Sequence, residues 1–398
     1  MISVTEANNI IRMSALKKKS KNQFTKLENS FGLVLSEDIK AKCFSPPYHQ
    51  SAMDGYALRF DDVNSGKPIK FEASKENSAG KTSNIKIKPH TAIRIFTGAK
   101  VPTNADLVIP QEFIEIDANQ NLIFDSKKFS RNDNIRPKGS QFNKGTVVLK
   151  SGTVLNGANI ALAATAGYSQ LKTVARPSVS IIVSGNELTI PGKSLMPDQV
   201  YESNSIMLAS LLHEKHIAID STYQVKDKLN LIEKTIKKCL RESDIILISG
   251  GISVGKYDYV KEALKNIGVK TGFYKVKQKP GKPLYFGTIK NKFFFGLPGN
   301  PAAALTCYYE YVLPLINILS GNKIFTKTAP KARLINEYRK KAGLTHFLKG
   351  YVSEKGAQIL SDQESYKLTS FVNANCLIVI PEETEKLKKG DIVEYHLL

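Results

Sequence analysis

Between residues 178 and 300 the chain alternates short, wholly apolar runs with longer amphipathic stretches. Val179–Ser184, Ile245–Ser249 and 292–296 are too short for helices and too continuously apolar for half-exposed strands, so they read as buried strands. Between them, Leu229–Leu240 and Tyr257–Asn266 carry apolar residues at helical spacing, and a helix reaching His213 starts at Ser203 or Asn204, either of which is a capping residue. Ile217–Val225 and 284–289 add strands, and a helix opens at about Pro301. Strands alternating with helices predict a central, doubly wound, mostly parallel sheet covered on both faces. Ligands of such sheets bind beyond the carboxyl ends of the strands.

The flanks have a different rhythm. Residues 3–30 read as a polar, lysine-rich helix and 31–44 as an extended segment, followed by a turn at Ser45-Pro46-Pro47. From Tyr48 to about Lys138, short strands (Asn84–Lys88, Ala92–Phe96, Leu107–Pro110, Leu122–Phe124) separated by Gly, Asn and Pro predict a small β-rich domain. Residues 139–177 mix strands with an Ala-rich helix over Ala158–Gly167, and Arg176-Pro177 marks a boundary. After Gly321 the helical pattern stops, and short strands with turns near Glu354-Lys355-Gly356 and Lys388-Lys389-Gly390 predict an all-β terminal domain. No internal repeat or low-complexity tract is present. The fold class is multidomain α/β with β-rich domains.

Three glycine-rich turns follow the strand-like runs of the α/β region. Ser249-Gly250-Gly251-Ile252-Ser253-Val254-Gly255 precedes Asp258, Lys279-Pro280-Gly281-Lys282-Pro283 carries two lysines on a stiffened loop, and Leu297-Pro298-Gly299-Asn300-Pro301 opens a helix. Glycine admits close backbone approach with N–H groups turned toward a ligand, so these loops suit a multiply anionic ligand and a hard cation. A plain tight turn would need only one glycine after Ser249, and Asp258 alone would merely suit a helix start. Glu187 adds a carboxylate on the predicted ligand edge, and Asp54 stands among small residues in Ser51–Ala57, where an Asp-Gly β-turn is the plainer reading. His213 and His216 share a helix face without a zinc-protease pattern and read as a surface pair.

Composition bounds the rest. At 398 residues the chain needs several domains, and its 42% hydrophobic content is that of a globular protein. The net charge, 57 − 36 = +21, favours anionic partners. Nucleic acid is not the expected one, because the charge is dispersed and no binding motif accompanies it. Cys43, Cys239, Cys307 and Cys376 are too scattered for a zinc knuckle and fit reduced thiols in the cytoplasm. No signal peptide is expected, and no apolar run is expected to span a membrane; the best candidate, Tyr308–Leu319, carries Glu310, Pro314 and Asn317.

Taken together and in order, Ser51–Ala57, Thr97-Gly98-Ala99 with Pro102, Asp106 and Glu112, Gly185-Asn186-Glu187-Leu188, Ser203-Asn204-Ser205, Ser249–Asp258, Lys279–Pro283, Leu297–Pro301 and Lys367-Leu368-Thr369-Ser370 to Asn375 resemble the molybdopterin molybdenumtransferase family, of the MoeA and gephyrin E-domain type. The resemblance covers nearly the whole chain. It implies four subdomains: domain I from 1–44 with 139–177, a β-rich domain II over 45–138, an α/β molybdopterin-binding domain III over 178–325, and a C-terminal β-barrel, domain IV, over 326–398. It implies a homodimer, working with a molybdopterin adenylyltransferase and other cofactor-synthesis proteins, in which the Asp54 loop serves the partner's site. The implied substrates are molybdate and adenylylated molybdopterin, with AMP released and Mg²⁺ assisting. Carried over by position, Asp54, Asp258, Lys279 and Lys282 are the catalytic candidates. Thr97, Gly98, Ser249, Gly250, Gly251, Ser253, Pro283, Pro298, Gly299, Asn300, Pro301, Ser365 and Ser370 are the binding candidates, and Glu187, Asp227 and Asp258 the metal candidates.

The chain departs from the family pattern at Gln141, Asn186, Lys256, Ala303, Leu344 and Lys349. Two of these changes remove side chains expected near the oxyanion or the metal. The competing expectations are a binding paralogue of the same fold that holds pterin or nucleotide but inserts metal weakly, and a scaffold that clusters partners.

Overall fold

The computed structural model describes residues 1–80, 85–252, 259–322 and 329–398. The chain divides into two compact units, Met1–Gln23 with Val174–Leu398, and Phe24–Thr173.

The larger unit opens with helix α1 (Val4–Leu16), capped by a reciprocal Ser3–Glu6 box. The helix expected over residues 3–30 therefore ends at Leu16, and Asn22–Lys26 is a strand. The polar run Lys17 to Lys21 offers no apolar stripe to bury, so nothing holds it helical. After the second unit come β1 (Val179–Ser184), α2 (Asn204–Glu214), β2 (Ile219–Val225), α3 (Leu229–Glu242), β3 (Ile245–Ser249), α4 (Tyr259–Asn266), β4 (Lys270–Tyr274), β5 (Tyr285–Ile289) and β6 (Lys292–Leu297). They form one sheet in the order β2-β1-β3-β6-β5-β4. The first four strands are parallel and the β6/β5 and β5/β4 pairings antiparallel.

Strand alternation divides the core in two. Ile181, Leu247 and Phe295 are buried with Ala7, Ile11 and Ala15 of α1, Leu208 of α2 and Tyr311. Their chain neighbours Ile182, Ile246, Ile248 and Phe294 are buried with Ile232 and Ile236 of α3 and Val260 and Leu264 of α4. Helices thus back both faces, which is why these strands are apolar throughout. Helix α1 thus packs into this core.

A helical run from Pro301 to Leu319 is 19 residues long and apolar enough by composition to cross a membrane, longer than the Tyr308–Leu319 stretch from which no span was expected. Its middle turn, Tyr308–Val312, is a π-helical segment joining two α segments. Tyr308, Tyr311 and Leu315 are fully buried, so this is a core helix. Six further strands of the unit build a second sheet in the order Gln278–Lys279, Thr345–Ser353, Cys376–Ile380, Ile392–Leu397, Lys331–Arg333, with Gly356–Ile359 paired to Thr345–Ser353. Gln278 and Lys279 pair with Thr345 and His346. The two-lysine loop therefore begins on the second sheet and ends on the first.

The smaller unit carries a four-stranded sheet in the order Lys70–Asn77, Thr91–Ile95, Gly55–Leu58, Leu107–Pro110, and a helix over Gly157–Thr165. Gly55 sits where a Cβ would fall 2.0 Å from the Ile109 carbonyl oxygen, so only glycine allows that strand approach.

Candidate functional site

The loops after β3 and β6 lie side by side at the carboxyl edge of the sheet. Gly250 has a φ of 89° and Gly251 of 64°, and a Cβ on Gly250 would stand 2.2 Å from the Ser184 carbonyl oxygen at the end of β1. Any other residue would push β1 and β3 apart. A Cβ on Gly299 would be 3.9 Å from the Gly250 Cα, so the two backbones run adjacent without side chains between them. Asn204, the buried first residue of α2, ties them: its Nδ2 donates to Ser249 Oγ and to the Gly299 carbonyl, each at 2.8 Å. The Ser249 hydroxyl in turn donates to the Pro298 carbonyl at 3.2 Å.

Asn204 and Ser203 were both candidates for the cap of α2. Ser203 occupies that position without a capping bond, and Asn204 faces the loops instead. The Glu202 carboxylate accepts the Ser205 N–H at 2.8 Å in their place. The Asn204 Oδ1 is buried with no hydrogen-bond partner among the described residues, and Asn204 lines the cleft. It is an acceptor available to a donor on a bound molecule.

These loops wall a cleft of about 560 Å³, within the range of small-molecule sites. Ser249, Gly250, Gly251, Pro283, Pro298, Gly299, Asn300 and Pro301 line it, as do the carboxylates Glu187 and Asp227. Asp227 is oriented by the Ser184 hydroxyl, which donates to its Oδ1, while its own N–H donates to Asn186 Oδ1 at 3.3 Å. Asp258 and Ser253 lie outside the described residues, as does Lys256. Among the described residues no three His, Cys, Asp or Glu side chains converge as a metal cluster. Glu187 and Asp227 nonetheless give the cleft two hard oxygen ligands of the kind a divalent cation takes.

A second cleft, of about 740 Å³, is lined by Lys279, Lys282, Ala303, Leu344, Ser365 and Tyr366. Pro283, Pro298 and Asn300 line both clefts and make them contiguous. Neither Lys279 nor Lys282 has an ion pair or hydrogen-bonded side chain among the described residues, so both ammonium groups are available to an anion. Their loop is held from below by Gln278, fully buried, whose Nε2 donates to the Pro280 and Gly281 carbonyls at 3.1 and 3.2 Å. The Tyr311 hydroxyl donates to the Gln278 Oε1. Gly281 has a φ of 85°, and a Cβ there would meet Cys307 Sγ at 2.6 Å. The loop is pressed onto the core helix with no room for a larger residue.

The wall opposite the lysines is residues 362–367, wrapped around one buried cation. Lys349 Nζ donates to the carbonyls of Asp362, Glu364 and Lys367, and burial pulls its pKa below the usual lysine value. Ser365 is thereby set against the start of the core helix: its hydroxyl accepts from Asn300 Nδ2 at 2.8 Å and its carbonyl from the Ala303 N–H at 3.1 Å. Ser370, a binding candidate, lines neither cleft. It is buried and its hydroxyl donates to the Asp362 carbonyl at 2.8 Å, so it shapes the wall from behind.

Asp54, Thr97 and Gly98 belong to the smaller unit. The Thr97 N–H and hydroxyl both donate to Asp54 Oδ1 at 2.7 Å, and these bonds hold the carboxyl below its ordinary pKa. Gln141 accepts the Ser45 hydroxyl at 2.7 Å in the same unit. Three residues that organise the clefts had no catalytic signal in sequence. Gln278 is one polar residue between two lysines, Lys349 stands out only as a departure from the family pattern, and Asn204 only as a cap within a matching motif.

Glycine loops with exposed backbone at a sheet edge, joined to two lysines unpaired among the described residues, define an α/β protein whose clefts are suited to phosphate-like or oxyanionic ligands. Residues 2–167 match the MoeA N-terminal region (domain I and II), 180–317 a probable molybdopterin binding domain, and 331–398 the MoeA C-terminal region (domain IV). A molybdopterin molybdenumtransferase of Haemophilus influenzae is 32% identical over 380 residues, covering 94% of this chain and 93% of the relative. One from Staphylococcus epidermidis is 32% identical over 401 residues, covering 99% and 94%. Two solved structures of a molybdopterin biosynthesis MoeA protein from Pyrococcus horikoshii superpose with TM-scores of 0.82 and 0.81 at 28% and 25% identity, covering all of this chain and 99% and 100% of those chains. The chain belongs to the molybdopterin molybdenumtransferase family.

Proposed function

We propose that this chain is a transferase that inserts molybdate into adenylylated molybdopterin, splitting the diphosphate link and releasing AMP to give the molybdenum cofactor. The observation that carries this reading is the contiguity of the two clefts at Pro283, Pro298 and Asn300. One cleft offers backbone around Gly250, Gly251 and Gly299 for phosphate oxygens, and the other offers Lys279 and Lys282 for the oxyanion. Seating both substrates across one ridge turns metal insertion into a problem of positioning. Ser249 and Asn300 are fixed by Asn204 and Ser365, so they need little reorganisation on binding. Glu187 and Asp227, with Asp258 as the further metal candidate, would hold Mg²⁺, which would supply charge neutralisation at the diphosphate.

The fold supports finer readings. The central sheet is doubly wound, in keeping with its two helix-backed cores, and the C-terminal strands are a small barrel. Domains I to IV follow the divisions given above. The working form is a homodimer in the cytoplasm in which the Asp54 loop of one copy, with Thr97 and Gly98, completes the cleft of the other. A molybdopterin adenylyltransferase is the partner that supplies the substrate.

The test is incubation of the purified chain with adenylylated molybdopterin and molybdate, with AMP measured by chromatography. Molybdate-dependent AMP release is expected. Tight binding of the adenylylated pterin without release would instead identify a weakened binding paralogue, for which Leu344 and Ala303 in the lysine cleft are the candidate cause.

A further inference from the structure

A third cavity, of about 430 Å³, opens at the other end of the central sheet. Its lining includes Asp244, immediately before β3, and Pro177, two residues before β1, so it sits at the amino ends of these strands, and the carboxyl end of β3 carries a glycine loop. Five-residue β3 separates the two places by roughly 16 Å. The cavity shares no lining residue with the clefts described above.

Its chemistry is lopsided. Arg12, Lys18, Lys19, Lys21 and Arg176 line it against one carboxylate, Asp244. That carboxylate is already engaged, by Lys18 Nζ at 2.6 Å and by the Ser178 N–H at 3.3 Å. Arg12, Lys19 and Arg176 have no ion pair or hydrogen-bonded partner among the described residues. Arg176 is half-buried, and burial holds its guanidinium below the usual arginine pKa, the mark of a cation that has lost water without gaining a counter-ion. Beneath the cations the floor is apolar: Ala15 and Leu319 are buried core residues, and Pro177 and Ile318 continue the surface. A cavity for an inorganic ion alone would not need that floor, and one for an uncharged molecule would not gather unpaired guanidinium groups.

We propose that this cavity is a second ligand site, separate from the reaction centre, which takes a small organic anion: an apolar, flat body on the Ala15–Leu319 floor with one phosphate, sulfonate or carboxylate held between Arg12 and Arg176. The proposal is independent of the molybdenum-insertion reading.

Anilinonaphthalene sulfonate, an aromatic body bearing one anion, is the probe. Fluorescence titration of the full chain gives saturable binding that weakens as ionic strength rises. The Arg12→Gln/Arg176→Gln double variant, and separately Lys19→Glu, weaken it by about tenfold or more, the scale of a lost charge-assisted hydrogen bond. Both alter side chains outside the core, and an unchanged thermal unfolding curve confirms the fold. Lys282→Ala leaves the dye affinity unchanged. The proposal is overturned if no saturable binding occurs, if the double variant and Lys19→Glu both keep the wild-type affinity, or if Lys282→Ala alone abolishes binding, which would put the dye in the lysine cleft. Displacement of the dye only by an acidic peptide, with no effect of phenyl phosphate, would assign the cavity to a protein partner and also overturn it.

Discussion

Asn204 Nδ2 lies 2.8 Å from Ser249 Oγ, and through that contact and an equal one to the Gly299 carbonyl a single buried amide fixes the spacing of the two glycine loops. Asn204→Leu removes the donor and leaves two buried acceptors short of a partner, at about 1–3 kcal/mol for each unsatisfied group. Both a lower unfolding temperature and weaker binding of AMP by calorimetry are expected. Asn204→Asp sets a carboxylate against the Gly299 carbonyl and puts negative charge beside the phosphate cleft, so it should be worse than Asn204→Leu for AMP. Equal AMP affinity in all three proteins would remove Asn204 from the site.

Gln278 acts on Lys279 and Lys282 only through the backbone of their loop. Gln278→Leu is expected to raise the KM for molybdate by roughly tenfold, about the worth of one or two hydrogen bonds, with less change in kcat. Steady-state kinetics separates the two effects. A drop in kcat at constant KM would mean that the loop does not position the oxyanion.

Lys349 holds three carbonyls of the wall that carries Ser365. Lys349→Met strips those carbonyls of their donor and should destabilise the chain by a few kcal/mol. It should also speed proteolysis between Asp362 and Lys367. Lys349→Arg, which keeps donor and charge, should restore protection. If Met and Arg variants are cleaved alike, the ammonium does not organise the wall.

His396 joins the C-terminal sheet to the core helix, its Nδ1 lying 2.8 Å from Glu310 Oε1. Burial alone would lower its pKa, but the hydrogen bonds and charges of Glu310 and Glu394 prevail and raise it to about 9. The folded value lies above the ordinary value of about 6.5. The stabilisation is therefore complete below about pH 6.5 and is lost as pH rises through about 9. Thermal unfolding of the wild type and His396→Gln should differ at pH 6 and converge by about pH 10. A gap that stays constant over that range would contradict an ionic contribution.

Much of the α/β unit was legible because its strands are buried on both faces and are written as unbroken apolar runs: Val179–Ser184 and Ile245–Ser249 begin and end where the sequence placed them. The glycine loops were legible for a related reason, since Gly250 and Gly281 occupy backbone conformations that other residues rarely adopt. The first helix was overextended because the lysines after Leu16 carry no stop signal, and its end depends on where burial ends. What organises the loops was not legible. Asn204 and Gln278 act across 45 and two to three residues of chain through buried amides, and no periodicity marks a polar side chain that faces inward. Ser370 shows the converse, a motif residue that supports the site from behind.

The central claim is that Lys279 and Lys282 grip the oxyanion beside a glycine-lined phosphate cleft. Molybdate-dependent AMP release from adenylylated molybdopterin, compared between the wild type and a Lys279→Ala/Lys282→Ala double variant, tests it most directly. The account predicts release by the wild type and a loss of roughly a hundredfold or more in the double variant, the scale of removing a preorganised oxyanion contact, with unfolding temperature unchanged. Release at the wild-type rate from the double variant would contradict it.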